Sequence, residues 1–156
     1  MSTIREQIVA AFVTAVTTGR PAGVPEPVRT RVDSPATDQL PVLSIYQNTE
    51  TVEPMHDPKA AHAIRGPVVR RSVVINAEVI TKAGIGGEPD KTADPILAWV
   101  THAIGAAGMF GGLANDPADE LGTKFEYEKG ETSFCRAMQA WRIQYQSRVN
   151  DAEQAA

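Results

Sequence analysis

Any chemistry in this chain would have to come from its histidines, its cysteine or its glycine-rich loops. His56, Asp57 and His62 lie together in HDPKAAH, a mixed imidazole and carboxylate set. Zinc needs three or four ligands at workable spacing, usually with the first two held by short local geometry. The stretch reads as a loop, and His102 stands alone on a helical pattern with no ligand type at i+4. GIGGEPD follows a strand and precedes a helix, as phosphate loops do. It lacks the lysine and hydroxyl of a Walker loop, and Gly84, Gly86 and Gly87 do not meet the dinucleotide spacing G-x-G-x-x-G. Cys135 is the single cysteine; it forms no disulfide within the chain and reads as a half-buried strand residue rather than a nucleophile. No G-x-S-x-G elbow occurs, and no carboxylate pair stands out from ordinary surface acids. The residues therefore predict no enzyme, no cofactor and no metal site.

Charge placement is more informative than any motif. The chain of 156 residues carries a formal charge of −4, which disfavours bulk electrostatic coating of nucleic acid. Its charges are nevertheless segregated. Lys59, Arg65, Arg70 and Arg71 are the charged residues between positions 59 and 71. Asp116, Asp119, Glu120, Glu126, Glu128 and Glu131 dominate the stretch from 116 to 131, against Lys124 and Lys129. Such runs are commonly solvated faces. They also suit a heterologous contact in which the basic loop of one copy meets the acidic hairpin of the next, and such contacts close into rings when the rotation allows. Lys59, Arg65, Arg70, Arg71, Glu126, Glu128 and Glu131 are accordingly the candidate subunit interface.

The elements that must position these groups follow from hydrophobic period. In Ser72 to Lys82, Val73, Ile75, Ala77 and Val79 alternate with Asn76, Glu78 and Lys82, which predicts a strand with one dry and one wet face. A slip of one residue would bury Glu78, so the register is strongly specified. Thr3 and Glu6 form a capping-box pattern ahead of Ile4, Ile8, Phe12 and Val16, predicting a helix from about 3 to 18 that ends at Gly19. Val28, Thr30 and Val32 suggest a short strand, and LPVLSIYQ a second. The stretch from Asn48 to Val69, with Pro54, Pro58 and Pro67, reads as a long interface loop. Asp94-Pro95 is the expected start of a second helix, bearing Ile96, Trp99, Val100, Ala103 and Ala107. A glycine-rich loop follows. Phe125 and Tyr127 then open a strand, and Ala137 to Val149 closes the sheet with Trp141, Ile143, Tyr145 and Val149 on one face.

The expected fold is one α+β domain over residues 1–149, with a mostly antiparallel sheet of about four to five strands and two helices packed on one face. Residues 150–156 are expected to be a flexible C-terminal tail. The N-terminus lacks the pattern of a signal peptide and no stretch reaches membrane-span length, so a soluble protein of the cytoplasm, with no membrane partner, is expected.

The order of these segments carries a family likeness. STIREQIVAAFVTAV, LPVLSIYQ, RRSVVINAEVI and, above all, the closing GTKFEYEKGETSFCRAMQAWRIQYQSR together resemble the tail terminator proteins of long-tailed bacteriophages. The likeness runs from about Ile4 to Val149 and is one of order and pattern. It implies a structural virion protein, made in the host cytoplasm, that forms a hexameric ring on the head-proximal end of the tail tube. The implied partners are further copies of itself, the tail tube protein and a head-completion or connector protein, with DNA passing through the lumen without sequence-specific binding. The long loop at 48–69 and the glycine-rich stretch around Gly105 to Gly112 depart from the simplest pattern. Two alternatives remain open: another neck or tail component (head-closure, connector or tube protein), or a small cytoplasmic ligand-binding domain with its site in the 84–94 loop.

Overall fold

The computed structural model describes residues 2–29, 35–55, 67–83, 87–149 and 151–155. The element order is α1 (Ile4–Thr17), β1 (Val28–Arg29), β2 (Val42–Pro54), β3 (Val68–Ala83), α2 (Asp90–Ala107), β4 (Asp119–Glu128), β5 (Ser133–Arg148) and β6 (Asp151–Ala155). The strands form a 6-stranded sheet in the order β1-β2-β3-β5-β4, with β6 also on β5. All pairings are antiparallel except β1 with β2. This is the α+β arrangement expected from the sequence, with both helices on one face.

The long strand β3 is the centre of the sheet. Val73, Ile75, Ala77 and Val79 are each 0% exposed, so its period-two pattern marks the core face. On β5 the same face carries Cys135, Ala137, Trp141, Ile143 and Tyr145, all buried. Ile4, Ile8, Phe12 and Val16 of α1, with Ile96, Val100 and Ile104 of α2, close over them in a single cluster. Fully burying one such aliphatic side chain contributes about 1.5–3 kcal/mol. The other face was expected to be wet, yet Asn76 is only 4% exposed. Tyr46, Met138 and Arg136 on the flanking strands lean across it, and their stems exclude water from its middle.

Local signals account for the helix ends. Thr3 caps α1 by accepting from the Glu6 N–H at 3.2 Å, and Gly19 takes φ +71 just beyond the end. The reciprocal half of the capping box is not made, because the Glu6 carboxylate turns to Arg29, held by two bonds of 2.5 and 2.7 Å. The second helix begins at Asp90 rather than at Asp94-Pro95. Buried Thr81 on β3 donates its hydroxyl to the Pro89 carbonyl at 2.6 Å, which anchors an extra turn and leaves Pro95 inside the helix. Trp99 joins the two helices by donating its indole N–H to the Val16 carbonyl at 2.8 Å.

Two further expectations are corrected. Most of the supposed loop at 48–69 that is described is strand: Asn48 to Pro54 extends β2, and Val68 and Val69 begin β3. A bulge between Gln47 and Thr49 masks the alternation there. Similarly, β4 starts at Asp119 instead of near Phe125, with a bulge between Glu120 and Gly122 and Gly122 at φ +118, a conformation glycine tolerates best. The glycine-rich stretch after α2 buries Phe110, which stacks on Phe12 at 6.2 Å. Residues 151–155 fall in the stretch expected to be a flexible tail. They pair as β6 with the end of β5, where β4 no longer covers its edge, and Val149 lies outside the strand at 46% exposed.

Trp141 is 4% exposed on the core face and donates to Gln139 at 3.1 Å. Trp141→Ala is expected to cost about 3–5 kcal/mol, measured by urea unfolding; a loss within error would place this side chain outside the core.

Candidate functional site

The candidate interface residues that the structure describes occupy the two ends of the sheet. Arg70 pairs across β3 and β5 with Gln146, whereas Glu126 pairs across β4 and β5 with Arg136. Those two partners are ten residues apart along β5, about 34 Å at about 3.4 Å per residue. Among the described residues, Arg70 and these acidic groups therefore do not meet within one copy. Lys59 and Arg65 lie outside the described residues, as do His56, Asp57, His62, Gly84 and Gly86.

At the basic end, adjacent arginines have different surroundings because successive strand residues face opposite ways. Arg70 is exposed on the outer face and, among the described residues, has no ion-pair partner. Arg71 faces inward with its side chain 17% exposed. It donates from Nε to Ser147 Oγ at 2.8 Å and lies 3.5 Å from Glu50 Oε2. Arg5 of α1 reaches the same Glu50 oxygen at 3.2 Å, and the Tyr145 hydroxyl donates to Glu50 Oε1. Arg71 is thus part of an internal cluster tying α1, β2, β3 and β5 together, and only Arg70 of the pair is free for a partner.

That cluster was not legible in the sequence. Glu50 falls in the stretch read as a loop, and the bulge at Gln47/Thr49 is what returns it to the core face opposite Val73. Its effect on Tyr145 is large. Burial first, then the hydrogen bond and negative charge of Glu50, push the phenol far above its ordinary range.

At the acidic end, Glu126 is paired with Lys124 at 2.7 Å, and this bond first, then the lysine charge, holds its carboxyl below the usual range. Glu128 and Glu131 are exposed. Glu126 and Glu128 line a surface cavity of about 460 Å³ together with Leu40, Ile80, Phe134 and Arg136. Arg136 is directed to Glu78 at 3.7 Å. Phe125 and Tyr127 stack at 6.5 Å and are 40% and 53% exposed.

Among the described residues, those weighed for chemistry form no constellation. His102 is exposed and tilts against Trp99 at 5.6 Å. Cys135 is fully buried, and burial raises its thiol above the ordinary value, followed by the charges of Asp90 and Asp94. Among the described residues no group of three or more metal-ligating side chains converges, and no helix is long and apolar enough to cross a membrane. In comparisons with known proteins, no family model and no curated protein matches the chain.

The Tyr145 cluster makes stability sensitive to alkali. A folded-state phenol raised above the unfolded value of about 10 leaves the unfolded chain binding fewer protons at high pH. Its stabilisation is complete below pH of about 10 and is lost as pH rises through and above that value, with a limiting slope of about 1.4 kcal/mol per pH unit. Tyr145→Phe is expected to remove that slope and to cost about 1 kcal/mol at neutral pH. Urea midpoints from pH 8 to 11 check both, and an unchanged slope would assign the alkaline loss to another group.

Proposed function

We propose that this chain is a structural ring subunit of the tail-terminator type, ending a phage tail tube and joining it to the head. The observation that carries the proposal is an exposed Arg70 at one end of the sheet, opposite Glu53 of β2, with the exposed Glu128 and Glu131 toward the other end. Arg70 sits at one end and Glu126 near the other, about 34 Å apart by strand rise, with the acidic turn around Glu131 beyond it. Groups so placed cannot neutralise each other within a copy, but they can between copies in a head-to-tail contact. A heterologous contact of this kind closes when its rotation divides the circle. The α+β fold supports the reading, since two helices on one face leave the outer sheet face and its ends available to neighbours. In this reading the partners are other copies, the tail tube and a head-completion or connector protein, and DNA crosses the lumen without sequence-specific contacts. The overall negative charge suits such a passage because it disfavours adhesion to DNA.

Only one of the two adjacent arginines is suited to testing this. Arg71→Glu would set a carboxylate against Glu50 and damage the fold, whereas Arg70→Glu changes an exposed side chain. Light scattering after size exclusion, over a concentration series and with added tail tubes, is expected to give a six-fold mass for the parent chain. Arg70→Glu should raise the concentration needed for assembly about tenfold, and a matching Glu131→Arg should restore part of it. A strict monomer that ignores tail tubes would sink the ring reading. A ring indifferent to Arg70 would remove this contact alone.

A further inference from the structure

The strand β4 ends the sheet, and among the described residues nothing pairs with its outer edge. Beyond the bulge at Glu120/Gly122, residues 123–128 run in unbroken register with β5, a length of about 20 Å. A long free edge is a template for another strand, and natural proteins usually blunt it. Here the bulge at Glu120/Gly122 and the charges of β4 blunt its first part, but residues 123–128 stay in register and carry one basic residue, Lys124. The edge is also two-sided. Phe125 and Tyr127 stand opposite Ala137 and Cys135, on the helix side, and remain exposed. Glu126 and Glu128 stand opposite Arg136 and Phe134, on the outer side.

We propose that the free edge of β4 is a strand-addition site for an extended segment of a partner protein that alternates basic and apolar residues. Backbone hydrogen bonds along residues 123–128 supply the common affinity, and the two faces supply selection. Apolar side chains of the added strand cover Phe125 and Tyr127. Its basic side chains lie on the other face, with their aliphatic stems along Phe134, Ile80 and Leu40 in the 460 Å³ cavity and their charges at Glu126 and Glu128. Among the described residues Glu128 has no ion-pair partner, and Arg136 is already turned to Glu78.

The opposite sheet edge of a second copy is a poor occupant. Val28 pairs with Ser44 and Arg29 with core-facing Ile45, so Arg29 points to the helix side, where Glu6 holds it. Continuing the sheet from β4 into that edge with helix faces aligned would set valine against the carboxylates. The complementary segment therefore comes from a different chain. This inference goes beyond the ring reading and does not depend on it: it assigns Glu126 and Glu128, first weighed for the ring contact, to the strand edge, and leaves Glu131 at the turn for that contact.

The test uses the full chain and a capped, fluorescent nonapeptide alternating arginine and valine. Saturable anisotropy is expected, with amide hydrogen exchange slowed at residues 123–128. Replacing the peptide's arginines by glutamate, or N-methylating the amides of one edge, should weaken binding roughly tenfold or more. Glu126→Gln with Glu128→Gln, both exposed and so expected to fold, should weaken it and flatten its salt dependence. Equal binding of the N-methylated peptide would overturn the proposal, because charge alone would then explain the affinity. So would slowed exchange at 123–128 in the assembled chain without peptide, which would assign the edge to a second copy.

Discussion

The structure depends on one constraint: the core faces of β3 and β5 have to be kept from water together. Val73, Ile75, Ala77 and Val79 pair in register with Ile143, Trp141, Gln139 and Ala137, and nothing on the sheet itself covers that surface. The two helices do so, and their own apolar stripes are complementary to it in spacing rather than in detail. Phe12 and Phe110 complete the cover where α1 and the segment after α2 converge. Once this layer is closed, the remaining strands have little freedom. β2 must pair with β3, β4 must pair with β5, and the edges of the sheet are left to whatever lies outside the chain.

Polar groups then decide how the layer is locked. Glu50 is 18% exposed at its side chain, a position that an unpaired carboxylate would occupy only at considerable cost. Arg5, Arg71 and Tyr145 offset that cost, and in doing so they join the first helix to three strands. Surface pairs such as Arg29 with Glu6 contribute far less, about 0–1 kcal/mol. Adjacent arginines on one strand thus serve different ends. Arg71 holds the fold together, and Arg70 faces outward to solvent or to a neighbour.

The functional reading follows from what the fold leaves unsatisfied. The fold leaves an exposed Arg70 with no ion-pair partner among the described residues, and a free β4 edge with the stacked Phe125 and Tyr127 on it. In the proposed reading both features serve contact between chains. The acidic side of the ring contact adjoins the strand edge: Glu131 lies at the turn beyond the sheet's end, and Glu126 and Glu128 lie on the β4 edge itself. A ring subunit that also receives a strand from a different protein would use both at once.

The sequence by itself determined the class of fold, the core face of β3, the first helix with its Thr3 cap, and the inward placement of Trp141, Ile143 and Tyr145. These are local consequences of period and capping, which neighbouring residues in the chain are sufficient to specify. Tertiary structure alone decided the extent of β2 and β4, because each contains a bulge that breaks the period a reader would follow. It also decided the start of α2, through a hydroxyl on β3, and the pairing of residues 151–155, through an uncovered stretch of β5. The division between Arg70 and Arg71 was beyond the sequence for the same reason. Which of two adjacent side chains is spent inside the molecule depends on Glu50 and Tyr145, which lie far away in the chain and are brought together only when the sheet forms.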